Sequence, residues 1–85
     1  MGDGLLEGGE YVRAAEIFRE VLSHDGSNVE AAFKLAFAYG KMGRYQDAIS
    51  GFGRVLQLEP GNRGAVRNIV LIEAKAAARE AAPTR

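Results

Sequence analysis

The amino-acid sequence predicts an all-α fold, an α-solenoid of antiparallel helix pairs in a single domain over residues 1–85. Three observations support this class. The chain repeats itself at a fixed spacing, apolar residues recur every three or four positions, and glycine or proline separates the apolar segments. We therefore expect a row of amphipathic helices, each packed on its neighbours in sequence.

The repeat is the strongest of these observations. Residues 43–62 repeat residues 9–28 at a shift of 34, with seven identical positions where chance supplies roughly one. The identical pairs are Gly9/Gly43, Tyr11/Tyr45, Ala14/Ala48, Phe18/Phe52, Val21/Val55, Leu22/Leu56 and Asn28/Asn62. Such a period predicts a partial first repeat (1–27), a complete repeat (28–61), a capping helix (62–82) and a tail (83–85).

The partial first repeat is predicted to hold a short helix over about 3–7 and a longer helix over about 10–23. Leu5 and Leu6 support the short helix, and Gly8 and Gly9 are expected to break the chain after it. The longer helix has its apolar residues on one face, at Tyr11, Ala14, Ala15, Phe18, Val21 and Leu22. Gly26 is expected to end this helix.

The complete repeat is predicted to form helices over about 28–41 and 45–58. Ser27 stands three residues before Glu30, which is the spacing of a capping box, and Gly43 is expected to end the first helix. Pro60 is expected to end the second. The apolar residues of the first helix lie on two faces, Ala32/Leu35/Ala36/Tyr39 and Phe33/Phe37. A helix that is apolar on two sides is expected to have neighbours on both.

Two glycines, Gly51 and Gly53, lie inside the predicted 45–58 helix. Each costs roughly 1 kcal/mol of helix propensity relative to alanine. No strand precedes them, so a phosphate-binding loop is not indicated. We expect both to permit close approach of a neighbouring helix.

The last helix is predicted over about 62–82, with Asn62 as its N-cap. Val66, Ile69, Val70 and Ile72 in its first half are expected to pack on the preceding pair. Its second half is rich in alanine, which favours helix but buries little area. We expect that half to be a solvated extension.

The complete repeat resembles a tetratricopeptide repeat, whose pattern is W-x2-L-G-x2-Y…A-x3-F…P. The matching residues are Leu35, Tyr39, Ala48, Phe52 and Pro60, with Gly43 and Tyr45 in the turn. The chain departs from the pattern at Ala32, Ala36 and Val55. The resemblance extends to about residue 72. It implies a right-handed superhelix whose concave groove is lined by the first helix of each repeat and binds a peptide or a helix of a protein partner.

On that resemblance, eight residues are expected to line the groove. They are Phe33, Lys34, Phe37, Lys41, Arg67, Asn68, Leu71 and Lys75. Apolar side chains flanked by bases favour an acidic, partly apolar peptide that presents a carboxylate. In the alternative interpretation, Phe33 and Phe37 pack under Leu5 and Leu6 or against a neighbouring helix, and the lysines only keep the surface solvated.

Family members that hold a chaperone's C-terminal carboxylate have lysine and asparagine at particular groove positions. This chain has Lys34 where asparagine is expected, and Gly64 and Asn68 where lysine and arginine are expected. These departures speak against a chaperone tail as the ligand.

Composition excludes several classes of function. The chain has no cysteine, one histidine and a formal net charge of zero, so we expect no metal site, no cofactor and no nucleic-acid partner. Ser23, His24 and Asp25 are consecutive and cannot converge as a catalytic triad, so we expect no enzyme. The sequence shows neither a signal peptide nor a membrane-spanning stretch, and we expect a cytoplasmic protein with no membrane partner.

Charge is unevenly distributed and leaves a second function open. Residues 1–30 carry seven acidic residues against two arginines, −5, whereas residues 31–85 carry nine basic residues against four acidic ones, +5. The chain is therefore also a candidate for a self-assembling structural module, a homo-oligomer formed through the incomplete first repeat. A third interpretation is an accessory domain or fragment of a larger protein.

Overall fold

A computed structural model describes the backbone of residues 3–81 and the side chains of residues 9–79. Within that range the chain forms four α-helices, α1 (Asp3–His24), α2 (Val29–Lys41), α3 (Tyr45–Leu58) and α4 (Arg63–Ala81). Each helix packs on the next, and the connections of three or four residues make neighbours antiparallel. The predicted all-α class is confirmed.

The first helix differs from the prediction. α1 runs without interruption from Asp3 to His24, so the expected break at Gly8 and Gly9 is wrong. Glycine costs helix propensity, but it keeps the backbone N–H that proline lacks, and the adjacent glycines Gly8 and Gly9 do not end this 22-residue helix. The interpretation that Leu5 and Leu6 cover the aromatic residues of α2 concerns side chains outside the described residues.

Two asparagines begin α2 and α4. Each of these is the first helix of its repeat, and we call them the front helices. The side-chain oxygen of Asn28 accepts the N–H of Ala31 at 2.9 Å, and that of Asn62 accepts the N–H of Ala65 at the same distance. The predicted capping box with Ser27 is wrong, because the Ser27 hydroxyl donates to Asp25 instead (3.0 Å). The capping hydrogen bonds of α2 and α4 are thus also repeated at a spacing of 34 residues.

The expected helix ends are confirmed. Gly43 follows α2 with φ of 81°, the left-handed conformation that glycine adopts without strain. Glu59 is extended (φ −137°, ψ 87°) before Pro60, and α3 ends there. Both ends of α3 agree with the prediction. For the last helix, residue 82 lies outside the described range.

The core lies between α2, α3 and α4. Its buried members are Ala32, Ala36, Ala48, Phe52, Val55, Ala65 and Ile72. Phe52 is the largest fully buried side chain, and its ring meets Phe33 edge to face with centroids 5.0 Å apart. Most of these residues are small, so α2 and α3 lie close together around one large aromatic wedge.

The two glycines of α3 have different surroundings. A Cβ built on Gly51 would lie 2.7 Å from the Cβ of Ala36 and 3.2 Å from its Cα, so only glycine fits there. A Cβ on Gly53 would meet nothing within 4 Å. The expectation of close helix approach is confirmed at Gly51 and wrong at Gly53.

Two arginines connect a helix to an earlier turn. Nη2 of Arg54 in α3 donates to the carbonyl of Gly26 at 2.9 Å, and Nη1 of Arg79 in α4 donates to the carbonyl of Gly43 at 3.1 Å. Arg79 also lies over the ring of Tyr45, 5.1 Å from its centroid. The second half of α4 is therefore not only a solvated extension, because Arg79 binds it to the α2–α3 turn.

Candidate functional site

A cleft between α2 and α4 is the candidate site. It has a volume of about 230 Å³. Its lining residues are Phe37, Gly40, Lys41, Phe52, Asn68, Leu71, Ile72 and Lys75. The lining includes Phe52 of α3, so the packing of the core forms the floor of the cleft.

The apolar part of the cleft has a buried floor and an exposed rim. Phe52 and Ile72 are buried, whereas Phe37 is 42% exposed and Leu71 is 53% exposed. Two large apolar side chains on opposite helices thus remain available to a ligand. Covering apolar area of this kind stabilises a complex by about 25 cal/mol per Å².

The polar part is basic. Lys41 and Lys75 stand on the rim, and the ammonium group of Lys41 lies 5.3 Å from the centroid of the Phe37 ring. Among the described residues that line the cleft, none is acidic. The lysines therefore have no carboxylate within the site to pair with, and a ligand carboxylate would meet two cations.

Asn68 contributes the remaining polar group. Its side-chain N–H₂ donates to the carbonyl of Gly64 at 2.7 Å, one turn earlier in α4. This bond fixes the amide and leaves its oxygen as an acceptor. An extended peptide offers backbone N–H donors that suit such an oxygen.

The structure brings five of the eight residues predicted for the groove into this cleft, namely Phe37, Lys41, Asn68, Leu71 and Lys75. The pairs Phe37/Lys41 and Leu71/Lys75 are 34 residues apart, and each pair spans one helical turn. The two front helices thus present the same apolar–basic pair, one repeat apart.

The other three predicted residues lie elsewhere. Phe33 packs on Phe52 and approaches Gly64, where a Cβ would lie 3.2 Å from its ring, so it belongs to the core between α2 and α4. Lys34 pairs with Glu30 at 3.0 Å. Arg67 lines a separate depression at the start of α4.

Sequence reasoning missed Gly40 and the floor of the cleft. A Cβ on Gly40 would lie 3.4 Å from Cδ1 of Ile72. The lack of a side chain at Gly40 therefore leaves room for Ile72 of α4 beside α2. The signal available in the sequence was a glycine inside a helical pattern. Phe52 and Ile72 also belong to the core, and the sequence pattern gives no sign that they line a cleft.

Other kinds of site are not found in the described part of the chain. Residues 9–79, whose side chains the structure describes, contain no group of three side chains able to hold a metal ion. None of the described helices combines the length and apolar character needed to cross a membrane.

These features define a class of protein, an all-helical repeat with an open cleft between successive front helices. The family follows from comparison: residues 5–69 match the tetratricopeptide repeat. The chain belongs to the tetratricopeptide repeat family, which confirms the resemblance. It is a protein–protein interaction module, in keeping with the concave binding surfaces that stacked repeats form.

Two characterised proteins are similar to the chain. FK506-binding protein 59 of Drosophila melanogaster is 30% identical over 66 residues, which are 78% of this chain and 15% of that protein. The tetratricopeptide repeat and J domain-containing co-chaperone DNJ1 of Fusarium oxysporum is 35% identical over 71 residues, which are 84% of this chain and 14% of that protein. The chain thus spans about a seventh of the length of these relatives.

Proposed function

We propose that this chain is a non-catalytic, cytoplasmic module that binds an extended segment of a partner protein. The segment is acidic and partly apolar, and it lies in the cleft between α2 and α4. One observation carries the proposal. Phe37/Lys41 and Leu71/Lys75 are the same apolar–basic pair on two successive front helices, exposed around one cleft.

The two kinds of side chain have different roles. Phe37 and Leu71 supply affinity, because a ligand removes their exposed apolar area from water. Lys41 and Lys75 are solvent-exposed, so an ion pair with either contributes only about 0–1 kcal/mol. The lysines therefore act chiefly in specificity and in the rate of association, and they disfavour basic segments.

Spacing favours an extended ligand. Equivalent pairs on adjacent front helices repeat along the cleft, and an extended chain presents alternate side chains to the same side. The amide oxygen of Asn68 accepts one backbone N–H of such a segment, since its N–H₂ group is already bonded to Gly64. A segment with apolar and acidic residues in alternation fits this arrangement.

The proposal is tested with fluorescein-labelled peptides that alternate leucine or phenylalanine with glutamate, against matched peptides with lysine for glutamate. We expect the acidic set to bind and the basic set not to bind. In the double variant Lys41→Glu/Lys75→Glu the dissociation constant of the acidic set is expected to rise about tenfold, equivalent to about 1.4 kcal/mol. The preference for acidic peptides should weaken as salt is added.

The matched control is Lys34→Glu/Arg67→Glu. It makes the same change in net charge at two residues that do not line the cleft. We expect its affinity to stay within about twofold of the parent, because screened long-range charge has a small effect. Equal losses in the two double variants, or binding indifferent to both, would rule out the cleft as the site.

The name of the Fusarium relative, co-chaperone, makes a chaperone segment a particular candidate partner. The same peptide assay separates this case, because a tail is bound through its terminal carboxylate. Peptides with a free carboxyl terminus and amidated versions are compared. With Gly64 and Asn68 at the positions named above, we expect the two versions to bind equally.

Self-assembly is the second candidate function, and it uses other surfaces. The incomplete first repeat supplies one surface, because no helix precedes α1 within residues 3–81 and Ile17 of α1 is 58% exposed. The exposed apolar side of α4, with Val66 and Val70, supplies the other. This side lies away from the cleft, so the two functions do not exclude each other.

A further inference from the structure

The four helices are two copies of one helix pair. By the 34-residue shift, α1 corresponds to α3, and α2 corresponds to α4. α2 is packed between α1 and α3. α4 packs on α3, and within residues 3–81 no helix lies against its other side.

The equivalent positions of α2 and α4 show that the other side of α4 is apolar and exposed. Ala32 and Ala36 of α2 are 2% and 0% exposed in the core. Their counterparts in α4 are Val66 and Val70, which are 48% and 59% exposed. The side of α4 that corresponds to the α3-facing side of α2 is therefore apolar and uncovered. We call it the outer face of α4.

α1 carries the residues that cover such a face. Two side chains of α3 that pack on α2, Ala48 near Gly40 and Phe52 on Phe33, recur in α1 as Ala14 and Phe18. Phe52 is fully buried, whereas Phe18 is half-buried against α2 alone. Ile17 of α1 is 58% exposed at the position that corresponds to Gly51.

The lengths and the charges of α1 and α4 also favour a pairing of these two helices. α4 extends six residues beyond the end of α2, and α1 begins eight residues before the start of α3, so an antiparallel pairing places the two extensions side by side. α1 carries five acidic residues against two arginines, −3, and α4 carries four basic residues against two acidic ones, +2. Opposite charge favours this pairing and disfavours α1 with α1 or α4 with α4.

We propose that the outer face of α4 binds α1 of a second copy of this chain, head to tail, in the position that α3 occupies on α2. Ile17 of one copy then meets Val70 of the other, where Gly51 meets Ala36 within a copy. Because isoleucine and valine replace glycine and alanine, this contact is wider than the α2–α3 contact and lies within the usual range of helix spacing.

A head-to-tail contact has a consequence for assembly. The two surfaces are different, so each added copy exposes the same free surface again, and the assembly is an open row rather than a closed dimer. Apolar contact through Ile17, Val66 and Val70 supplies the association, and charge sets its direction.

The test is sedimentation velocity on the full 85-residue chain from micromolar to millimolar concentration. We expect the mean mass to pass through dimer and trimer without a plateau at dimer. Ile17→Glu and Val70→Glu each remove one of the two surfaces and are expected to be monomeric alone. Mixed in equal amounts they should form a heterodimer and nothing larger, because each supplies the surface that the other lacks.

The control is Val12→Glu, also on α1. Val12 corresponds to the exposed Gln46 of α3, so this variant should assemble like the parent. Circular dichroism establishes that each glutamate variant remains helical. Ile17→Ala and Val70→Ala, which fold more readily, should weaken association several-fold.

Two variants distinguish failure of head-to-tail assembly from failure of peptide binding in the cleft. Lys41→Glu/Lys75→Glu should assemble normally while it binds the acidic peptides about tenfold more weakly, and Val70→Glu should bind peptide as a monomer. A parent chain that stays monomeric throughout the concentration range overturns the inference. So does a mixture of the two glutamate variants that fails to form a heterodimer.

Discussion

α2 and α4 are repeats of the same front helix, and the structure gives them different surroundings. Both begin at an asparagine cap, and both bury the same side against the preceding helix, through Ala31 in α2 and Ala65 in α4. On the other side, Ala36 is buried against α3, while its counterpart Val70 is 59% exposed.

The difference shows that neighbours, not the local pattern, decide which apolar residues are buried. Val66 and Val70 lie at spacing typical of a core-facing stripe, yet they are exposed. Where α3 does cover the equivalent stripe, alanine stands instead, since the contact between Gly51 and Ala36 leaves no room for a larger side chain. Close packing therefore selects small residues in α2, and its absence permits valine in α4.

The largest effect is expected when the covered and uncovered copies of the aromatic wedge are compared. Phe52→Ala should destabilise the chain by about 3–5 kcal/mol, because it empties a fully buried site. Phe18→Ala should cost roughly half as much, since Phe18 packs on one side only. Thermal unfolding measures both, at about 4–8 °C per kcal/mol for a domain of this size. Equal losses would contradict the difference in burial.

A smaller effect, of opposite sign at two positions, is expected for the glycines of α3. Gly51→Ala should destabilise by about 1–3 kcal/mol, because the new methyl group meets the main chain of Ala36, which cannot rotate away. Gly53→Ala should stabilise by about 0.5–1 kcal/mol, since it gains helix propensity in open space. Urea midpoints measure the pair. A stabilising Gly51→Ala would show that α2 and α3 are not held this close.

The smallest expected effect concerns the two caps. Asn28→Ala and Asn62→Ala should each cost about 1 kcal/mol, because each leaves one N–H at a helix start without its acceptor. Aspartate at either position should restore most of the loss, since its carboxylate accepts the same bond. A cap effect at Asn28 and none at Asn62 would mean that α4 does not begin as α2 does.

Much of the fold follows from the sequence, because the repeat and the stop residues act locally. Gly43 ends α2, Pro60 ends α3, and the shift of 34 aligns the two caps. α1 was mispredicted because glycine weakens a helix without breaking its hydrogen-bond ladder. Ser27 was mispredicted because Asp25 takes its hydroxyl, a competition that the capping-box spacing does not reveal.

The site was harder to predict than the fold. Phe33 and Phe37 are one turn apart on the same helix, yet Phe33 packs on Phe52 and Phe37 lines the cleft. Which of the two rings is covered depends on where α4 crosses α2. A helical wheel of α2 shows the directions of its side chains but not the position of α4. Lys34 is separated from Lys41 in the same way, by its approach to Glu30 and the ring of Phe18.

The central claim is that a partner segment binds in the cleft, and NMR chemical-shift mapping of the backbone amides tests it most directly. The acidic–apolar peptide is titrated into the monomeric Val70→Glu variant, which keeps the cleft intact. We expect the perturbed amides to lie around Phe37, Lys41, Leu71 and Lys75. Perturbations confined to α1 and the outer face of α4, or none at saturating peptide, would contradict the claim.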